Sequence, residues 1–138
     1  MNRVKARRVA FEMIFEYGFF NHGVEQILEV ARECYEDLDD FSVQMLIACD
    51  SKLSEFDAVI EKNSIGWTVP RMSRVTAATL RLAVAELLSE SDIPVSVTVN
   101  EAVEIAKVYE GEECSAFVNG VLGSIVKGLP VKSEEVAE

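Results

Sequence analysis

Ala6, Val9, Ala10, Met13, Ile14 and Tyr17 recur at i, i+3, i+4, i+7, i+8 and i+11, the spacing of one buried face of an α-helix. The pattern predicts a helix from near residue 3 to residue 19, ended by Gly18 and the Asn21-His22-Gly23 cluster. A second stripe runs Val24, Ile27, Leu28, Ala31, Tyr35, Leu38. Asp39 and Asp40 then offer caps for a third, carrying Val43, Leu46, Ile47, Leu53, Phe56 and Ile60. Gly66, Trp67 and Pro70 interrupt the period, so a turn or short helix is expected before Ser73 caps the next long helix. From Val75 to Leu88 the apolar residues surround the whole cylinder, which marks a central helix. Arg81 and Glu86 are its exceptions and each needs solvent or a partner. Arg81 is expected to brace Glu86 or a loop carbonyl.

Pro94 and a hydroxyl residue are expected to open the next helix, with Thr98 or Ser96 as its cap, Glu101 completing a capping box to Thr98, and Val99, Ala102, Val103 and Ala106 as the stripe. A last helix begins after Gly111, repeats the period through Cys114, Phe117, Val118, Val121, Leu122 and Ile125, and stops at Gly128 and Pro130. Val95 to Val99 alternates like a strand but has no second strand to pair with, so it reads as a helix lead-in. The fold class is therefore all-α, with one domain over residues 1–130 and a frayed acidic tail over 131–138.

A chain of 138 residues, 49% of them apolar with three prolines, can bury a full core without disulfides or metal. Its apolar runs are too short to cross a bilayer, and no secretory leader is visible, so a soluble cytoplasmic protein is expected. Cys34, Cys49 and Cys114 are odd in number and widely spaced, which fits reduced, mostly buried thiols and neither a disulfide framework nor a zinc site. The single histidine, His22, sits in a turn, and no glycine-rich phosphate loop is present. No catalysis, cofactor or metal is expected.

Thirteen basic and twenty-four acidic residues give a net charge of −11, which repels nucleic acid at long range. Arg3, Lys5, Arg7 and Arg8 nevertheless crowd the first turns before any acid appears at Glu12. A Debye length of about 8 Å lets such a local patch act despite distant acids. At 100° per residue Arg7, Arg8, Phe11 and Phe15 share a sector about 100° wide beside the buried stripe. Cations interleaved with aromatic rings suit single-stranded RNA, whose phosphates are neutralised and whose bases stack. The competing reading is that Phe11 and Phe15 pack under another helix and the arginines hold surface carboxylates.

Four segments carry a family likeness. They are Arg7-x-x-Ala10-x-x-x-Ile14-Phe15; Trp67 through Leu80-Arg81-Leu82-Ala83-x-x-Glu86-Leu87; Asn100-Glu101-Ala102-Val103-Glu104-Ile105-Ala106-Lys107; and Phe117-Val118-Asn119-Gly120-Val121-Leu122. Together they resemble the NusB family of bacterial transcription antitermination and ribosome-biogenesis factors, over nearly the whole chain. The resemblance implies a NusB-like all-α bundle of about seven helices in two packed sub-bundles, without catalytic activity. It also implies joint action with the ribosomal protein NusE on single-stranded boxA-type RNA in nascent rRNA transcripts, inside a transcription elongation complex with other Nus factors. Arg3, Lys5, Arg7, Arg8, Phe11 and Phe15 would then contact RNA, with Phe117 and Asn119 at the RNA-facing start of the last helix. Phe15, Arg74 and Thr76 would meet NusE. Asn119 and Gly120 have a second reading, as a close contact between two helices. Glu12, Phe15, Thr76 and Ala85 depart from residues common in the family. Two other readings stay open: a protein-only interaction module or homodimer, and the RNA-binding appendage of an rRNA methyltransferase, which requires a longer chain.

Overall fold

In the computed structural model, residues 1–129 are described. Among them are seven α-helices and one turn of 3-10 helix, so the all-α expectation holds. The expected acidic tail, and Pro130 as a helix stop, lie outside the described residues.

Helix α1 spans Arg3–Phe20, with Asn2 at its N-cap accepting from the Lys5 N–H, and closes on Asn21 in the left-handed region. Gly18 lies inside it. A Cβ there would come within 3.1 Å of the Arg81 guanidinium, so this glycine makes room for a neighbour and does not break the helix. Helix α2, Val24–Cys34, stops short of the expected stripe because Glu36, Asp37, Asp39 and Asp40 follow. Acids are disfavoured at a helix C-terminus and favoured at the next N-terminus. Asp39 duly caps α3, Asp40–Ser51, by accepting from the Phe41 N–H, while Tyr35 and Leu38 pack onto the core from the connection.

The single third helix expected from the pattern is two. Helix α3 ends at Ser51 and α4 covers Leu53–Lys62, with Lys52 between them off helical geometry. The Ser51 hydroxyl donates back to the Ile47 carbonyl at 2.8 Å, a side-chain bond that bends helices, within a run from Asp50 to Lys52 that offers no apolar anchor. The 3-10 turn Val69–Arg71 carries Pro70 and leads to Ser73, whose side chain accepts from the Thr76 N–H as the cap of α5, Arg74–Leu87. This helix is buried nearly all round and packs on α1, α3, α4, α6 and α7.

Helix α6, Val95–Glu110, starts directly after Pro94, whose fixed φ suits a helix start. Thr98 is therefore not a cap but an interior residue with a buried hydroxyl, and the lead-in at Val95 is already helical. Gly111 alone separates α6 from α7, Glu112–Lys127. It sits at φ 94°, ψ −172°, a region that is essentially glycine-only, so two helices join through one residue.

A continuous apolar core contains Ile14, Leu46, Ile60, Leu80, Leu82, Ile105 and Leu122. Helices α1, α2 and α3 pack together, α6 packs along α7, and both groups meet α5, while α4 lies on α5 and touches α3 and α7.

Candidate nucleic-acid interface

The basic first turns of α1 do not face outward as one set. Arg7 is 3% exposed and Glu86 1%, and the Arg7 Nε–H contacts Oε1 and Oε2 at 3.1 and 3.0 Å while Nη2 reaches Oε1 at 2.7 Å. The Thr98 hydroxyl donates to the same Oε1 at 3.0 Å. Arg7 is thus the buried counter-ion of Glu86 and is not open to a phosphate; the expected role is corrected. Arg81 is not the brace of Glu86 either. Five helical positions set the two about 140° apart, and Arg81 instead makes a two-pronged pair with Asp57, both contacts at 2.9 Å.

Phe11 is corrected likewise. It is 2% exposed and lies against the Tyr109 ring of α6, centroids 4.8 Å apart. Phe15 is half-buried and extends the row, 6.1 Å from Phe11 and 5.4 Å from Phe19. Phe19 and Phe20, 47% and 56% exposed, complete an aromatic band with the stacked His22 ring. The Arg74 guanidinium lies 5.0 Å over Phe19. The i, i+4, i+8 spacing of Phe11, Phe15 and Phe19 was the overlooked signal for this band.

Arg3 and Lys5 are exposed and Arg8 is half-buried. Arg3 stacks over Phe41 at 4.2 Å and Lys5 lies 5.7 Å over the Tyr35 ring. The amino-terminal ammonium pairs with Asp37 at 3.0 Å and holds that carboxyl below its ordinary pKa, chiefly by direct hydrogen bonding.

The aromatic start of α7 is elsewhere. Helix α1 runs antiparallel to α5, Arg7 meeting Glu86 at one end and Arg74 donating to the Gly18 carbonyl at the other. Thr76 reaches Cys114 on α7, sulfur to oxygen 3.0 Å. Ten positions of α5 separate Thr76 from Glu86, about 15 Å along the axis. The cations of α1 and the pair Phe117 and Asn119 therefore occupy opposite ends of α5 and form two patches. Phe117 is half-buried, edge-on to the exposed Trp67 at 6.2 Å, while Asn119 and Gly120 are exposed. A Cβ on Gly120 would meet nothing within 4 Å, so the reading of this pair as a close helix contact is wrong. Thr76 is buried and bonded to Ser73 and Cys114. It forms part of the wall of a hollow of about 280 Å³ lined also by Trp67, Arg71 and Phe117, so a partner meets it only from inside that hollow.

Of the thiols, Cys49 is buried, Cys114 half-buried and Cys34 exposed, against the expectation that most would be buried. Among the described residues no group of three or more His, Cys, Asp or Glu is placed to hold a metal, and no helix is long and apolar enough to cross a membrane.

The sequence profile of the NusB family matches residues 4–127. A transcription antitermination protein NusB from Clostridium acetobutylicum is 36% identical over 135 residues, covering 96% of this chain and all of that protein. This chain belongs to the NusB family. The crystal-form structure of T. maritima NusB superposes with a TM-score of 0.85 at 35% identity, covering 99% of this chain and 98% of that one. A solved complex of the antitermination factors NusB and NusE with double-stranded RNA has a chain matching at a TM-score of 0.78 and 28% identity, covering 94% of this chain and all of that one. The family places this NusB-like chain among non-enzymatic transcription antitermination proteins.

Proposed function

We propose that this chain is an RNA-binding antitermination adaptor of the cytoplasm that, with NusE, holds single-stranded boxA-type RNA of nascent rRNA transcripts within an elongation complex containing other Nus factors. The observation that carries this reading is the exposed pair Arg3 and Lys5, which among the described residues form no ion pair with a carboxylate on a chain of net charge −11. The family neighbour bound to NusE and RNA supports it. Phe117 and Asn119 form a second contact toward the opposite end of α5, and Phe15 with Arg74, beside the exposed Phe19 and Phe20, is the face for NusE.

With Arg7 withdrawn, about three phosphate contacts remain, and the salt slope for a single strand is about −2. Binding by this chain alone is then weak, and NusE strengthens it by raising the effective concentration. A filter-binding titration with boxA-like single-stranded RNA, with and without NusE and against a duplex of the same sequence, tests this. Tight binding only when NusE is present, with preference for the single strand, is expected. No binding in either condition overturns the proposal. The exposed Phe19 and Phe20 also favour a second reading, a protein-only module or homodimer, which light scattering in the same samples distinguishes.

A further inference from the structure

We propose that Tyr35 and Phe41 are positioning residues for the polyanion site at the start of α1, holding Lys5 and Arg3 by cation–π contact so that their charges stay available to phosphate. The inference rests on the RNA reading above. Nothing in α1 itself favours these two cations: they occupy its first turn, where no acidic residue is present and where the helix dipole repels positive charge. The segment facing them is acidic, with Glu36, Asp37, Asp39 and Asp40 following α2. Lys5 feels the Asp37 charge and helps to lower its pKa, yet neither Arg3 nor Lys5 closes to an ion pair with these carboxylates.

Two of these acids, and Glu12 on α1, are engaged by other groups. Asp37 receives the Met1 ammonium, Asp39 accepts the Phe41 N–H at 2.8 Å, and Glu12 on α1 accepts the Tyr35 hydroxyl at 3.3 Å. The rings at the two ends of that connection take the cations instead: Arg3 over Phe41 of α3 at 4.2 Å and Lys5 over Tyr35 at 5.7 Å. A ring engages the face of a guanidinium and leaves its N–H edge open, whereas a carboxylate would consume that edge. Phe41 also lies 5.7 Å from the Arg7 guanidinium, so one ring neighbours both the cation offered to solvent and the one bound to Glu86.

The test uses the full chain and a boxA-like single-stranded RNA over a salt series, with Phe41→Leu, Phe41→Trp, Tyr35→Leu, Tyr35→Phe and the cation deletions Arg3→Ala and Lys5→Ala. The leucine variants should weaken binding several-fold, and the double leucine variant should flatten the salt slope by about one unit. Trp and Phe, which keep a ring, should restore both. Leucine variants that keep wild-type affinity and slope overturn the proposal. If those variants bind normally while Arg3→Ala and Lys5→Ala lose binding, only the positioning role falls; if the cation deletions also change nothing, the RNA site on α1 falls with it. A measurement on the free protein makes the outcome independent of folding defects. The Arg3 side-chain methylene protons should resonate upfield from the Phe41 ring current and return in Phe41→Leu, and a wild-type spectrum without that shift overturns the proposal.

Discussion

Replacing Arg7 should damage the fold before it touches RNA binding. In Arg7→Ala the Glu86 carboxylate, 1% exposed, loses three contacts of 2.7–3.1 Å and the guanidinium that offsets its burial. Removing one partner of a buried pair costs about 3–5 kcal/mol. Domains are stable by only about 5–15 kcal/mol, so the unfolding midpoint should fall by about 10–20 °C. Urea and thermal unfolding followed by far-UV circular dichroism measure this, with Arg8→Ala as the surface control expected within about 0.5 kcal/mol of wild type. The triple change Arg7→Met, Glu86→Leu, Thr98→Val replaces the network by apolar groups and should recover most of the loss, because an apolar substitute for a buried ion pair is often neutral or stabilising. A loss below about 1 kcal/mol for Arg7→Ala, or a triple variant no better than the single, would refute the reasoning.

Alkaline pH should destabilise the protein through two groups. Burial pushes the Cys49 thiol up to about 12 from its ordinary 9, and burial together with the bond to Asp50 pushes Tyr17 up to about 12 from 10. Both folded values lie above the unfolded ones, so their contribution is whole below about pH 9 and is lost as pH climbs toward 12; Cys49→Ala should flatten the fall between pH 9 and 11 in a pH series of urea melts, and an unchanged curve refutes this. Thiol labelling of the native protein should modify exposed Cys34 quickly and leave buried Cys49 untouched until denaturant is added, as mass spectrometry of digests will report. Ser42, fully buried, donates to the Ala6 carbonyl at 2.6 Å and ties α3 to α1. Its replacement by alanine should cost about 1 kcal/mol in the same urea melts, and a neutral result would remove that tie from the account.

Periodicity revealed the helices because burial on one face leaves a regular trace: the stripe of Ala6, Val9, Ala10, Met13 and Ile14 is the buried face of α1, and the all-apolar α5 is the central helix. It failed where one polar side chain overrides the period, as when Ser51 bonds back to Ile47 and splits α3 from α4. Pro94 opens α6 as expected, but no hydroxyl caps it. The site was harder to see. A sector of a helix wheel does not say which neighbour covers it, so Arg7 and Phe11 looked outward until Glu86 and Tyr109 were in place. Glu86 did signal a buried partner, and the 140° offset from Arg81 left that partner to come from another helix. Family likeness brought Phe117 and Asn119 into the account, but their distance from Arg3 and Lys5 depends on how α1 and α7 lie along α5, which local sequence does not encode.

The single-glycine joint between α6 and α7 makes chain length at that point a matter of register. One inserted residue would turn α7 by 100° and advance it by 1.5 Å, moving Phe117 away from Trp67 and sweeping Asn119 around to another side of the bundle. A residue inserted in the stretch between α5 and Pro94 has several non-helical positions in which to be absorbed, which residue 111 does not offer. An engineer seeking a place for a tag or a new terminus should choose that longer stretch and leave the joint alone.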